Sequence, residues 1–359
     1  MAWRALTAAI LVLMCVTPGV ARGAADPPVW PVAHWRELFD ADSDHNDIES
    51  ERLSRSEDSA DFYPLAYSID ELGSMYEATG ELAYAAKALH FTENMIASAR
   101  PSSSLGTSTF HDDYLGWVSP GNDGDETPLY ESYAWRYVTR VLRLVRPVLD
   151  SAPAELRDAY ARTLEFTENH IVDKWRNRGA DSYVYRERTH MAAHWAMIAL
   201  DVSVLTADQD RAAACAEITR NIDDHLPNYP SSLRAQLGPG HPDPDAYWWS
   251  DVWGETTGPG QDIGHGNGVI AYVVEARDMD AGWSAGELAR FARTLTGLLG
   301  GPPYPEYVDG SGTSNGWIAD GFVKLGRYDT ALQVRLQTYG VQNSQFYASM
   351  AANAARLTS

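Results

Sequence analysis

Apolar residues recur along this chain at the intervals of a helix, not of a strand. Between residues 62 and 79 they fall at Leu65, Ile69, Leu72 and Tyr76, spacings of 4, 3 and 4 that share one helical face. Gly80 stops that run, and 82–97 resumes it with Leu82, Ala86, Leu89 and Ile96, so 78–82 reads as a tight turn between antiparallel helices. The same design, helix then glycine then helix, is expected at 325–332. Further helices are expected at 129–148, 154–175, 187–206, 210–224, 268–276, 284–299 and 345–355. Only 182–185 and 304–308 read as short strands. The fold class is therefore all-α, built from repeated helical hairpins. No fixed 34-residue period is present, which disfavours an open array. Long connections at 101–128, 228–264 and 300–316, rich in Gly, Pro, Asp, Trp and Tyr, suit a closed α/α toroid with its loops gathered over one mouth.

Composition narrows the class. The chain has 359 residues, 45% hydrophobic, with 12 Trp, 19 Tyr and 8 Phe, enough for one large core and too apolar for disorder. Its net charge of −21 disfavours nucleic acid and anionic membranes as partners. Positive charge at Arg4, an apolar stretch over 5–16 and small residues at 21–25 read as a secretory signal over residues 1–25. The expectation is a mature, secreted or periplasmic domain over 26–359, with no membrane contact after cleavage and oligomeric state open. Cys15 falls in the signal, and Cys215 reads as a small buried hydrophobe.

Candidate chemistry gathers in three places. At 183–195, Glu187, His190 and His194 are spaced by three and four, so on a helix they project from one face beside Arg186 and Arg188. That set reads as zinc ligands, as core histidines, or as an acid/base cluster facing a carboxylate substrate. At 258–268, glycines surround Asp262, His265 and Asn267 ahead of an apolar helix. This is either a ligand-approaching loop or a glycine loop capped by Asp262 or Asn267. At 126–143, Glu126, Glu131, Tyr130 and Tyr133 precede a stripe of Arg136, Arg140 and Arg143, read as a solvated face or as a uronate-binding site. The aromatic cluster 245–251, with Tyr247, Trp248 and Trp249, suits sugar faces.

The segments 130–136, 188–195, 262–268 and 320–328 together resemble exported bacterial α/α-toroid polysaccharide lyases of the glucuronan or alginate type. The resemblance implies β-elimination on an acidic, uronate-containing polysaccharide, with a Tyr as base or acid, His and Asn or Glu near the uronate carboxylate, and Arg holding it. Glu187, His190, His194, Tyr247, His265 and Asn267 are then the expected catalytic set, and Tyr130, Tyr133, Arg136, Arg188, Trp249 and Asp262 the substrate-binding set. Tyr247 departs from the family pattern in having no arginine nearby. No cofactor is implied and no metal ligands are assigned, a structural divalent cation being left open. Two rivals stand beside this reading. An α/α-toroid hydrolase needs only two carboxylates about 6.5 to 9.5 Å apart in its inverting form, offered by Glu126, Glu131, Asp251, Glu255 or Asp262. A non-catalytic carbohydrate-binding protein uses the aromatics alone.

Overall fold

A computed structural model describes residues 28–359, leaving aside the side chains of residues 44 and 45. The expected signal segment, its expected cleavage point and Cys15 lie outside the described residues. Of the described residues 64% are helical and 5% extended, well above the one-third helix of an ordinary globular protein, so the all-α expectation holds. The helices are α1 (Val32–Ser54), α2 (Phe62–Thr79), α3 (Leu82–Ser98), α4 (Pro128–Val145), α5 (Ala154–Phe166), α6 (Asp173–Asn177), α7 (Thr189–Leu205), α8 (Gln209–Asp224), α9 (Leu233–Gln236), α10 (Ile263–Asp278), α11 (Ala285–Leu298), α12 (Thr330–Leu336) and α13 (Ser344–Thr358). Two short antiparallel pairs, Arg100–Pro101 with Leu115–Gly116 and Gly238–Pro239 with Tyr247–Trp248, tie down the long connections.

Local chemistry sets the ends of these helices. Gly80 takes φ +71 and closes α2, as a left-handed cap residue does. Asp208 accepts from two backbone N–H groups at the start of α8, and Ser284 with Glu287 forms a capping box on α11. Other expectations are corrected. Residues 182–185 are not a strand, because Asp181–Tyr183 is a 3-10 turn. Gly326 is not a hairpin turn. It lies within the 3-10 segment Phe322–Tyr328, where a Cβ would run into Gln333 Oε1 and meet Asn353 Nδ2 at 2.8 Å. Glycine is there for close packing.

Neighbours in the core follow a simple order. α2 packs on α4, α4 on α7, α7 on α10, α10 on the 322–328 segment, that segment on α13, and α13 on α2. Around them, α3 lies against α2, α8 against α7, α12 against the 322–328 segment and α1 against α13. The N-terminal ends of α2, α4, α7 and α10 carry side chains that meet one another, described below. Their C-terminal halves meet through charge.

That charge overturns one expectation outright. Arg136 and Arg140 are not on a solvated face: they are 0% and 1% exposed, and Arg143 is largely covered. Arg140 Nε pairs with Glu275 at 2.6 Å, its Nη1 with Asp70 at 3.5 Å and its Nη2 with Glu77. Arg143 pairs with Asp201 at 2.6 Å and with Glu275. Lys324 holds Asp70 at 2.7 Å, and Arg327 holds Asp278 at 2.7 Å and Glu77 at 3.3 Å. Arg140 and Arg143 are thus held by carboxylates of the fold and serve structure. Glu126 and Glu131 are also spent, on Lys174 at 3.5 and 2.7 Å, which removes them from the carboxylates a hydrolase could use. Cys215 is fully buried and burial pushes its thiol up to about 12, as a small core residue.

One buried carboxyl makes stability depend on pH. Glu71 accepts a hydrogen bond from Ser344 Oγ, and burial pushes it up to about 8. Its ordinary value is about 4.3, so its contribution is fully present below that pH and is lost as pH rises through the folded value. Asp201 and Asp223, raised by burial to about 6 and about 7, act in the same direction. Histidines that burial keeps neutral in the fold, His190 and His194, oppose this below about pH 6.5. Urea unfolding should therefore show stability falling between about pH 6.5 and 8, and Glu71→Gln should flatten that fall. An unchanged slope in Glu71→Gln would remove Glu71 from the explanation.

Candidate functional site

Asp262 begins the site. It sits in extended backbone ahead of α10, and its Oδ1 accepts from the His265 N–H at 3.0 Å as an N-cap. With that cap the helix starts at Ile263, five residues before the expected start, so Gly264, Gly266 and Gly268 lie inside the helix and not in a loop. Gly268 serves close approach: a Cβ there would meet His194 Nε2 at 3.0 Å and Arg136 Nη1 at 3.4 Å. The same cap holds the His265 ring, whose Nδ1 lies 3.0 and 2.9 Å from the two Asp262 oxygens. This leaves Nε2 as the nitrogen free for a ligand. His265 is half exposed, and its bond to Asp262 raises its pKa above the ordinary 6.5. Burial pushes Asp262 up, but the hydrogen bonds from His265 outweigh it and hold the carboxylate below its usual range.

Behind His265 the site is buried and neutral. The His190 ring stacks on His265 at 4.4 Å, and His194 lies 6.1 Å from His190, one turn along α7. Burial first, and then the charge of neighbouring cations, push His190 down to about 3 and His194 well below 6.5. Both are therefore neutral imidazoles at neutral pH. Their Nδ1 atoms, and Arg136 Nη1, are buried without a hydrogen-bond partner.

Tyrosines complete the arrangement. Tyr133 meets His194 edge-on at 5.0 Å and stacks on Tyr63 at 3.5 Å. Its hydroxyl donates to Tyr67 Oη at 2.9 Å, and the Tyr67 ring meets Trp317 at 5.0 Å. Burial raises the pKa of both Tyr67 and Tyr133, so both stay protonated. Arg136 lies over the Tyr133 ring at 4.2 Å and pairs with Asp320 at 2.7 Å. Trp317 opens onto a cleft of about 680 Å³ whose walls include Asp251, Asp262, His265, Glu306 and Tyr307. Arg188 stands beside it, its guanidinium 2.9 Å from Asp251.

The structure thus gathers seven of the expected residues: His190, His194, His265, Asp262, Tyr133, Arg136 and Arg188. Five fall elsewhere. Glu187 shares no helical face with the histidines, because α7 begins at Thr189; it is exposed in the preceding segment, 3.5 Å from Arg186. Asn267 is fully occupied, donating to the carbonyls of Ile263, Gly264 and Trp317 and accepting from the N–H groups of Gly321 and Phe322. It clamps the segment before 322–328 onto α10 and has no atom left for substrate. Tyr247 is buried against Phe291, and the arginine its own segment lacks is supplied from a distance in sequence by Arg290, over its ring at 3.9 Å. Trp249 is 1% exposed between Phe291 and Phe322. Tyr130 lies beside the 119–125 turn, outside the cleft walls.

Tyr63, Tyr67, Trp317 and Glu306 are the residues that sequence reasoning passes over. For Tyr63 and Tyr67 a signal exists, two tyrosines four apart on the polar side of the α2 stripe. Among the described residues no group of three or more His, Cys, Asp or Glu side chains is placed to hold a metal ion. No protein-family model, curated protein or solved structure matches the chain.

Proposed function

We propose that this protein is an exported α/α-toroid polysaccharide lyase that cleaves a uronate-containing polysaccharide by β-elimination. The toroid reading rests on the order of neighbours, which leads from α2 through α4, α7, α10 and 322–328 to α13 and back to α2. Export rests on the pattern of residues 1–25. The observation that carries the chemistry is His265, oriented by Asp262 and half exposed in an aromatic cleft.

In this reading His265 Nε2 takes the proton from C5 of a uronate, and Asp262 stabilises the imidazolium that forms. The electron pair released at C5 makes the C4–C5 double bond as the C4–O bond breaks. The departing oxygen needs a proton, and Tyr67, kept protonated by burial, is the donor beside Trp317. A tyrosine with a raised pKa suits the acid role and not the base role. Arg188 at the rim is the cation for the uronate carboxylate, whose neutralisation makes C5–H acidic.

A hydrolase remains the second reading, favoured by Asp251 and Glu306 on the same cleft. Incubation with polyuronides decides between them. Elimination should produce absorbance at about 232–235 nm from the new conjugated double bond, the mark of proton abstraction at C5. New reducing ends without that absorbance would refute the lyase reading in favour of hydrolysis.

A further inference from the structure

The cleft's charge is at odds with a purely anionic substrate. Three carboxylates line it, Asp251, Asp262 and Glu306. Arg188 answers Asp251, and His265 answers Asp262 when protonated. Glu306 meets no cationic side chain at ion-pair distance among the described residues; its side chain lies against Tyr307. Its position is built. Gly312 takes φ +73 beneath it, and a Cβ there would meet Glu306 Cβ at 2.6 Å and Oε2 at 2.8 Å. The turn is shaped so that the Glu306 carboxylate lies across it at the cleft wall. In the form in which His265 is a neutral base, the walls carry two negative charges in excess, and each residue of a homopolyuronide would add another.

We infer that the polymer this cleft takes alternates uronate with a hexosamine bearing a free amine, and that Glu306 receives the ammonium group. The inference rests on the proposed elimination chemistry for the uronate and extends it to the neighbouring sugar. Arg188, shared with Asp251, meets the carboxylate and Glu306 the ammonium, so a substrate of balanced charge adds nothing to the excess that each residue of a homopolyuronide would raise. Trp317 and Tyr307 offer aromatic faces to the sugar rings between them.

Three polymers test it: alternating hexuronate and free-amine hexosamine, the same polymer N-acetylated, and a homopolyuronide. On the full mature protein, kcat/KM read at about 232–235 nm should favour the free-amine polymer over its N-acetylated form by at least about tenfold. Glu306→Gln should bring that ratio towards one. Equal turnover of the two forms, a ratio unchanged by Glu306→Gln, or a homopolyuronide as the best substrate would each overturn the inference. So would calcium ions that raise homopolyuronide turnover above that of the free-amine polymer in the native protein but not in Glu306→Gln, since the carboxylate would then serve a metal ion. Binding of free-amine and N-acetylated oligosaccharides to His265→Ala, followed by calorimetry, separates this from the chemistry. If no polymer gives the absorbance, the elimination reading fails, and the binding ratio alone still decides the charge reading.

Discussion

Replacement of His265 by alanine should lower turnover by about 100-fold or more while changing stability by less than about 1 kcal/mol. The ring is half exposed, and its polar contact in the fold is Asp262, which remains the cap of α10 through the backbone N–H of residue 265. Proton transfer is therefore lost without a core being opened. The pH profile gives an independent sign. Asp262 stabilises the protonated ring and raises its pKa, so activity that needs the neutral base should rise with pH through a value above 6.5. Asp262→Asn should move that rise to lower pH. His194→Ala should behave differently. His194 is 1% exposed and packed on Tyr133, so its removal should cost activity and also about 2–4 kcal/mol of stability through the cavity left behind. A His265→Ala protein with full activity per folded molecule would refute the role given to this histidine.

Helix content is legible here because burial imposes the 3.6-residue period on the chain. The 62–79 expectation and α2 coincide, and 284–299 differs from α11 by one residue at each end. α1 escapes the same reading. It buries Trp35 and Phe39 and then little until Ser50 and Leu53, so an acidic stretch interrupts its apolar stripe. The site is legible where residue types share an element, as His190 and His194 do on α7. Contacts between distant segments are not written in local spacing. Nothing near Tyr67 in sequence announces Trp317, 250 positions away. Aromatics mislead for a related reason. Tyr247 and Trp249 stand in a long polar loop, yet α11 and the 322–328 segment come back to cover them. The arginine stripe misleads most, since charge normally marks solvent and here it is matched carboxylate by carboxylate inside the protein.

That internal charge sets the largest stability effect to be expected. Arg140→Met keeps apolar volume but withdraws the cation from Glu275, Glu77 and Asp70 at once. Breaking a buried pair by removing one partner costs about 3–5 kcal/mol, because the other charge stays buried without its match. Against a total stability of about 5–15 kcal/mol for a typical domain, that is a large fraction. Burial alone would push Glu275 up, but Arg140, Arg143 and Arg327 hold it well below the ordinary carboxylate range. A carboxylate held low contributes stability that is present above its unfolded pKa and lost as pH falls through the folded one. In Arg140→Met the Glu275 pKa rises, so the acid limb of unfolding should begin at higher pH than in the native protein. Urea unfolding at neutral pH and again towards about pH 4 measures both effects. A loss below about 1 kcal/mol with an unmoved acid limb would mean that Arg143, Lys324 and Arg327 suffice to neutralise the cluster. Arg140 would then be dispensable to a core that otherwise depends on it.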